Sequence, residues 1–297
     1  MIVGPTASGK SALALELAKK QASVVINADS AQVYQDLQIL SARPTESEME
    51  GVPHHLYGYI DGAEACSAAR WAEDAKTAIA KAHEQNILPI LVGGTGLYVR
   101  TLLDGISPIP EIDPEIRQEI RQLETMEAYR ALSEEDRIAS GKLNSNDRNR
   151  IQRALEVVRS TGKPMNYWHQ QKSGGIGDQI KLNAVVLLPP RDWLYERCDR
   201  RFSIMLEDGA IDEVKALISR NLPSDCPVQR AIGVPEIQAL LNGEIDRDTA
   251  IEQAQIATRQ YAKRQYTWFR NQSPASWRHF EGNINIDNIG DIVTLFQ

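Results

Sequence analysis

Gly4-Pro5-Thr6-Ala7-Ser8-Gly9-Lys10-Ser11 stands between the apolar run Met1-Ile2-Val3 and the apolar positions Leu13, Leu15, Leu17 and Ala18. The pattern G-x-x-x-x-G-K-[ST] predicts a loop that leaves a strand and opens a helix around a phosphate. Glycines let successive backbone N–H groups turn toward one oxyanion, and the helix N-terminus faces the same charge. Lys10 adds a point charge, and Ser11 a hydroxyl suited to Mg²⁺. Gly4, Pro5, Thr6, Ala7, Ser8, Gly9, Lys10 and Ser11 are therefore the candidate diphosphate-binding residues, with Ser11 the candidate metal ligand. The competing reading is a glycine-rich strand–helix turn. Such a loop specifies a phosphate, not the hydrolysis of ATP.

Outward from the loop, strand and helix patterns alternate. Met1-Ile2-Val3 is short for a strand beneath such a loop, where about five residues are usual, and it reads as the end of a longer one. Val24 to Ala28 is a second apolar strand, ending at Asp29-Ser30. Ser67 to Asn86 reads as an alanine-rich helix, and Ile87 to Val92 as a third strand ending at Gly93-Gly94-Thr95-Gly96. Near-continuous apolar strands separated by helices predict a doubly wound parallel sheet.

Ser107-Pro108-Ile109-Pro110 breaks the pattern, and the stretch from about Asp113 to Lys172 is helical in periodicity with no clear strand. Ser173-Gly174-Gly175-Ile176-Gly177 is a second break, after which Leu182 to Leu188 resumes as a buried strand. The remainder reads as helices: Trp193 to Leu206, Ala210 to Ile218, Pro235 to Leu241, and a long one near Asp248 to Arg270. The expected fold is an α/β P-loop doubly wound parallel sheet core, residues 1–110 and 178–297, with an all-helical insertion at 111–177.

Ligands of open α/β sheets bind beyond the carboxyl ends of the strands, which is where Asp29 and Thr95 fall. A carboxylate there suits water-mediated Mg²⁺ binding or proton abstraction, and the plainer role is a helix or turn cap. Thr95 offers a hydroxyl to a phosphate or an attacking amine, or else caps a glycine-rich turn. The third strand ends in glycine rather than the metal-binding acid common in nucleotide hydrolases, which weakens an ATPase reading. Arg197 and Arg201, four apart on one helix, match diphosphate oxygens or pair with Glu196 and Asp199 at the surface.

The chain has 297 residues, 42% hydrophobic and 25% charged, enough for one large core and an appendage. No apolar run approaches the roughly 20 residues of a membrane span, and no basic-then-apolar leader is visible. Cys66, Cys198 and Cys226 lack metal spacing and read as buried or incidental thiols. A net charge of −7 argues weakly against nucleic acid, but its distribution matters more. Gln253 to Phe280 contains no acid yet carries Arg259, Lys263, Arg264, Arg270 and Arg278. Arg148 to Lys163 holds five basic residues and only Glu156. On the long last helix Arg259, Lys263 and Arg270 recur with Tyr266 as a basic stripe bearing an aromatic, which suits an RNA backbone or a merely solvated face.

These strings together resemble the tRNA dimethylallyltransferases, the enzymes that prenylate the adenosine 3′ of the anticodon. The resemblance rests on GPTASGKS at Gly4, NADSAQVY at Asn27, ARPT at Ala42, HHL at His54 and GGTGLYV at Gly93. It continues through NDRNRIQRALEV at Asn146, RCDRRFSIML at Arg197, AIG at Ala231 and TRQYAKRQYTWFR at Thr258. It implies a P-loop core whose helical insertion closes over the anticodon stem-loop, with dimethylallyl diphosphate and tRNA as substrates and Mg²⁺ as cofactor. It implies Asp29 as general base, with Thr95 and Arg201 supporting the diphosphate and the reacting geometry. It assigns tRNA contacts to Asp29, Ser30, Ala31 and Gln32, and to Asn149, Arg150, Ile151, Gln152 and Arg153. A third set is Lys263, Arg264, Gln265, Tyr266, Thr267, Trp268, Phe269 and Arg270. A cytoplasmic monomer without membrane attachment is expected. Two departures stand out: the residues usual before the phosphate loop are missing, and Val234-Pro235 follows AIG where the family has tyrosine. The absence of a C-terminal Cys/His zinc element points to the bacterial form. Other readings are a small-molecule P-loop kinase, a prenyltransferase of free adenine nucleotides, and a non-catalytic RNA-binding protein.

Overall fold

The computed structural model describes residues 1–285 and 288–294. The chain divides into two compact units, Met1–Leu102 with Gln179–Gln297, and Leu103–Asp178. In chain order the elements begin with β1 (Ile2–Val3), α1 (Lys10–Ala18), β2 (Ser23–Asn27), β3 (His54–His55), α2 (Ala68–Glu84), β4 (Leu88–Gly93) and α3 (Gly96–Asp104). Then come β5 (Gly105–Ile106), α4 (Pro114–Gln122), α5 (Thr125–Glu135), α6 (Arg137–Ser140), α7 (Arg148–Thr161), α8 (Met165–His169) and β6 (Ser173–Gly174). The chain ends with β7 (Val185–Leu187), α9 (Arg191–Glu207), α10 (Ala210–Ser219), α11 (Val234–Leu241), α12 (Arg247–Gln272), β8 (Arg278–Phe280) and α13 (Ile289–Val293).

In the first unit the strands pair in the order β3-β2-β4-β1-β7-β8, and every pairing is parallel. β2 is buried along its whole length, as a strand covered on both faces must be. Ile2, Leu13, Leu17, Val25, Ile90, Val92, Val185 and Leu187 share one apolar core beneath the loop that follows β1. α1 starts because Gly9 adopts φ 93°, a left-handed conformation that glycine enters at little cost. Ser67 caps α2 by accepting from the Arg70 N–H at 3.1 Å, and the helix buries Trp71, Ala75 and Ile79.

The sequence reading missed β3 and β8. Each is only two or three residues long and polar, so neither has a period to detect. β1, which reads as three residues, forms a two-residue strand. Val234-Pro235 opens α11, where the missing proline N–H costs nothing, while the Glu236 carboxylate accepts from the Gly233 N–H at 2.9 Å. Among the described residues no helix is long and apolar enough to cross a membrane.

The second unit packs α4, α5 and α7 around Ile120, Ala128, Leu132, Ile151, Ala154 and Leu155. Asp147 caps α7, and Gly162, at φ 65°, ends it. The expectation of an all-helical insertion is corrected: β6 pairs antiparallel with β5. Two-residue strands rich in glycine carry no alternation of apolar and polar side chains, so the pairing has no sequence signature. The Ser107–Pro110 break lies within this unit.

Candidate active site

β2, β4 and β1 are neighbours in the sheet, and their registers end level: Asn27 lies opposite Val92, and Val3 opposite Gly93. The loops that leave their carboxyl ends therefore start side by side. One carries Asp29, the second Thr95, the third Thr6 to Ser11. The physics of the parallel sheet thus assembles residues that are far apart in sequence.

A cavity of about 420 Å³ opens there, and its lining is mixed. Thr6, Asp29, Ser30, Ser41, Arg201, Arg230, Tyr261 and Arg264 bring polar groups, and Leu40, Phe202, Met205, Pro227 and Ile232 bring apolar ones. The polar groups beside the loop are tightly wired. Arg201 donates to the Thr6 hydroxyl at 2.5 Å. Arg197 donates through Nε to the Ala7 carbonyl at 3.0 Å, and Lys10 to the Pro5 carbonyl at 2.6 Å. Gln265, buried on α12, accepts from the Thr6 N–H at 2.8 Å and donates to the Gly94 carbonyl at 2.9 Å. Glycine at position 94 leaves room for this amide, since a Cβ there would lie 2.1 Å from the Gln265 amide nitrogen and displace it from its bonds.

Asp29 accepts from the Ala31 N–H at 3.0 Å, and Asn27 fixes its backbone by accepting from the Asp29 N–H at 2.8 Å. Ser30 donates its N–H to the Thr95 hydroxyl at 2.9 Å. The Tyr261 hydroxyl bonds to Thr95 and Ser30. Burial, reinforced by the Asp29 charge, pushes its pKa up and keeps it a neutral phenol. Burial lowers Lys10 to about 8, with Asp29 opposing the shift and Arg201 adding to it. Arg201 is lowered too, by burial. The Ser8 hydroxyl is buried with no hydrogen-bond partner among the described residues, an orphan donor of the kind a bound oxyanion satisfies.

Of the residues singled out by sequence, Thr6, Asp29, Ser30, Ala31, Arg201 and Arg264 line this one cavity. Thr95 is joined to it through Ser30. Several positions in the stretches expected to contact tRNA instead serve the fold. Gln265, Tyr266 and Phe269 are buried, as are Ile151 and Gln152 in the other unit. Helical periodicity requires this: a stretch taken whole around a helix includes its core face. Lys263, Thr267 and Arg270 are exposed, as are Asn149, Arg150 and Arg153. Arg259, read as part of the basic stripe, is held by both Asp199 oxygens at 2.7 Å. Sequence reasoning missed Tyr261 and the apolar wall. The signal for Tyr261 was present, since Thr258, Tyr261 and Gln265 recur at i, i+3 and i+7 on the long helix. The wall comes from four separate segments and had no local signature. Cys66, Cys198 and Cys226 are free thiols, and Cys198 lines the cavity with its pKa raised by burial.

Ser11 lies exposed in the first turn of α1, and among the described residues no three His, Cys, Asp or Glu side chains cluster as a metal cage. Mg²⁺ usually takes only one or two protein oxygens and completes its shell with phosphate and water, so Ser11 and Asp29 fit that ion.

The sequence model of the IPP transferase family matches residues 32–272 of the chain. A tRNA dimethylallyltransferase of Sphingopyxis alaskensis is 58% identical over 294 residues, 98% of this chain and 96% of that protein. The crystal structure of a tRNA isopentenylpyrophosphate transferase from Bacillus halodurans superposes with a TM-score of 0.71 at 36% identity, covering 99% of this chain and 93% of that one. A eukaryotic dimethylallyltransferase, described as acting on tRNA, superposes with a TM-score of 0.77 at 30% identity over 90% of this chain and 68% of its own.

Proposed function

The chain belongs to the IPP transferase family and is a tRNA-modifying prenyltransferase, and from that premise we propose how its cavity works. Dimethylallyl diphosphate supplies the prenyl group, and the acceptor is the exocyclic amine of the adenosine 3′ of the anticodon in tRNA. The amine nitrogen bonds to the first prenyl carbon as the carbon–oxygen bond to diphosphate breaks, and diphosphate leaves with the electron pair. The amine proton passes to the Asp29 carboxylate. Lys10, Arg201 and the N–H groups of the P-loop from Gly4 to Ser11 meet the charge that grows on the leaving oxygens. Thr95, tied to Ser30 and Tyr261, orients the amine. Mg²⁺, held by Ser11 and by Asp29 through water, would neutralise diphosphate charge.

The observation that supports this reading best is that one cavity gathers Thr6 of the P-loop, the Arg201 cation and the Asp29 carboxylate together with the apolar side chains of Leu40, Phe202 and Met205, against which a prenyl chain can pack. The target base has to leave its stack to reach Asp29. The helical insertion grips the anticodon stem-loop through Asn149, Arg150 and Arg153, and α12 through Lys263 and Arg270. The enzyme works as a cytoplasmic monomer. The test is incubation with bulk tRNA lacking the modification and labelled dimethylallyl diphosphate, followed by mapping of the labelled nucleoside. Label on an adenosine outside the anticodon loop, or transfer from the γ-phosphate of ATP instead, overturns the reading.

A further inference from the structure

Glu156 on α7 is a buried carboxylate, its side chain 5% exposed, with Arg121 and Arg153 at 3.5 Å and Arg117 at 3.9 Å. The three arginines are themselves exposed, at 43%, 66% and 43% for Arg117, Arg121 and Arg153. Three guanidinium groups share one carboxylate, so the cluster carries two uncompensated positive charges. Two hydrogen bonds tie α7 to α4 beside it: Gln152 donates to the Ile120 carbonyl at 3.2 Å, and Arg148 to the Arg121 carbonyl at 3.0 Å. The Arg117 Nε is buried without a hydrogen-bond partner among the described residues.

One turn further along the same helix stands a purely structural arrangement. There Arg159 has two carboxylates, Glu135 at 2.8 Å and Glu119 at 2.9 Å, and its donors are used. The ratio around Glu156 is inverted. An acid that only stabilised the unit would need one arginine, whereas this one gathers three partly exposed guanidinium groups around a single negative charge. Guanidinium forks match phosphate oxygens in pairs.

We propose that Arg117, Arg121 and Arg153 form a phosphodiester-binding surface for RNA, with Glu156 as the positioning residue that holds them together. The inference rests on the reading of tRNA as substrate and adds Arg117, Arg121 and Glu156 to its contacts.

Its test exploits a reversal of sign. By charge alone, Glu156→Gln makes the protein more positive, so RNA should bind more tightly and with a steeper salt dependence. By positioning, the three arginines repel and splay, and binding weakens. Affinity of the full chain for an anticodon stem-loop transcript is measured across salt concentrations, alongside transfer from dimethylallyl diphosphate. For E156Q we expect affinity to fall by about threefold or more, and the log–log salt slope to shrink by about one. For the double variant R117A/R121A we expect a loss of about tenfold and a slope smaller by nearly two. The KM for dimethylallyl diphosphate should not change in either. An E156Q protein that binds RNA as well as or better than the wild type overturns the proposal. Should E156Q fail to fold by circular dichroism, R117A/R121A decides, since both side chains are exposed; unchanged RNA affinity and slope overturn the proposal. A wild type that modifies tRNA while both variants behave normally defeats this inference alone. A wild type that neither binds nor modifies RNA defeats the functional reading with it.

Discussion

The candidate site and the helices of the Leu103–Asp178 unit use positive charge in opposite ways. At the site the cations are drawn in from solvent and individually bonded: Lys10 to Pro5, Arg197 to Ala7, Arg201 to Thr6. On the helices of the Leu103–Asp178 unit they stand exposed, with Arg150 75% exposed and held at 3.5 Å by Asp147. Buried charge in a low-dielectric site acts strongly at one point and ignores salt; exposed charge acts weakly, in number, and is screened. That contrast suits catalysis in one place and polyanion binding in the other. It also says which variants should be costly and salt-independent, and which mild and salt-dependent.

Asp29→Asn puts the contrast under the greatest strain. The variant keeps size and most hydrogen bonding but loses the proton acceptor, so turnover should fall by roughly 10²–10⁴-fold at low and high salt alike. Recovery at high Mg²⁺ would make Asp29 a metal group rather than a base, and near-normal turnover would leave it as the cap of Ala31.

Next in size is Gln265→Leu. It strands the Thr6 N–H and the Gly94 carbonyl inside the protein, at a cost of about 1–3 kcal/mol for each. Denaturant unfolding should show that loss, and the donor KM should rise because the loop is no longer tied to β4. Wild-type stability in this variant would mean that the buried wiring does not hold the loop.

A pH profile sharpens the same side of the comparison. Burial favours neutral Lys10, so its charge is lost as pH rises through about 8 rather than near the usual lysine value. Below that pH the cation is present for the diphosphate, and above it kcat/KM for the donor should decline. Lys10→Ala should be slower throughout and lack this decline. A wild-type profile flat to pH 10 would show that the charge there is not used.

The smallest effects belong to the exposed side. Arg150→Ala should weaken tRNA binding only a few-fold and reduce the salt slope by about one, with kcat unchanged. Arg259→Ala should leave the slope alone, because that guanidinium is already committed to Asp199. If Arg259 behaves like Arg150, exposure does not separate the two classes of charge.

Much of the parallel sheet was legible in the sequence, because its inner strands are near-continuous apolar runs bounded by glycine and polar turns. Val24 to Ala28 and Ile87 to Val92 fall within one residue of β2 and β4. β3, β8 and the β5–β6 pair were not legible, since strands of two or three residues form by being paired rather than by their own preference. At the site, Asp29, Thr95, Arg201 and the loop from Gly4 to Ser11 carried their chemistry in residue type and spacing. Sequence could not say which arginines are spent within the protein. Arg197 and Arg201 turn toward the loop, Arg259 turns to Asp199, and three others converge on Glu156. Apart from Arg153, which is three residues from Glu156 on one helix, each choice depends on residues tens to hundreds of positions away. The apolar part of the cavity lining is decided the same way, since Leu40, Phe202, Met205 and Ile232 meet only after folding. Local interactions write periods and caps into the sequence. Long-range pairing and burial choose partners, and those belong to the tertiary structure alone.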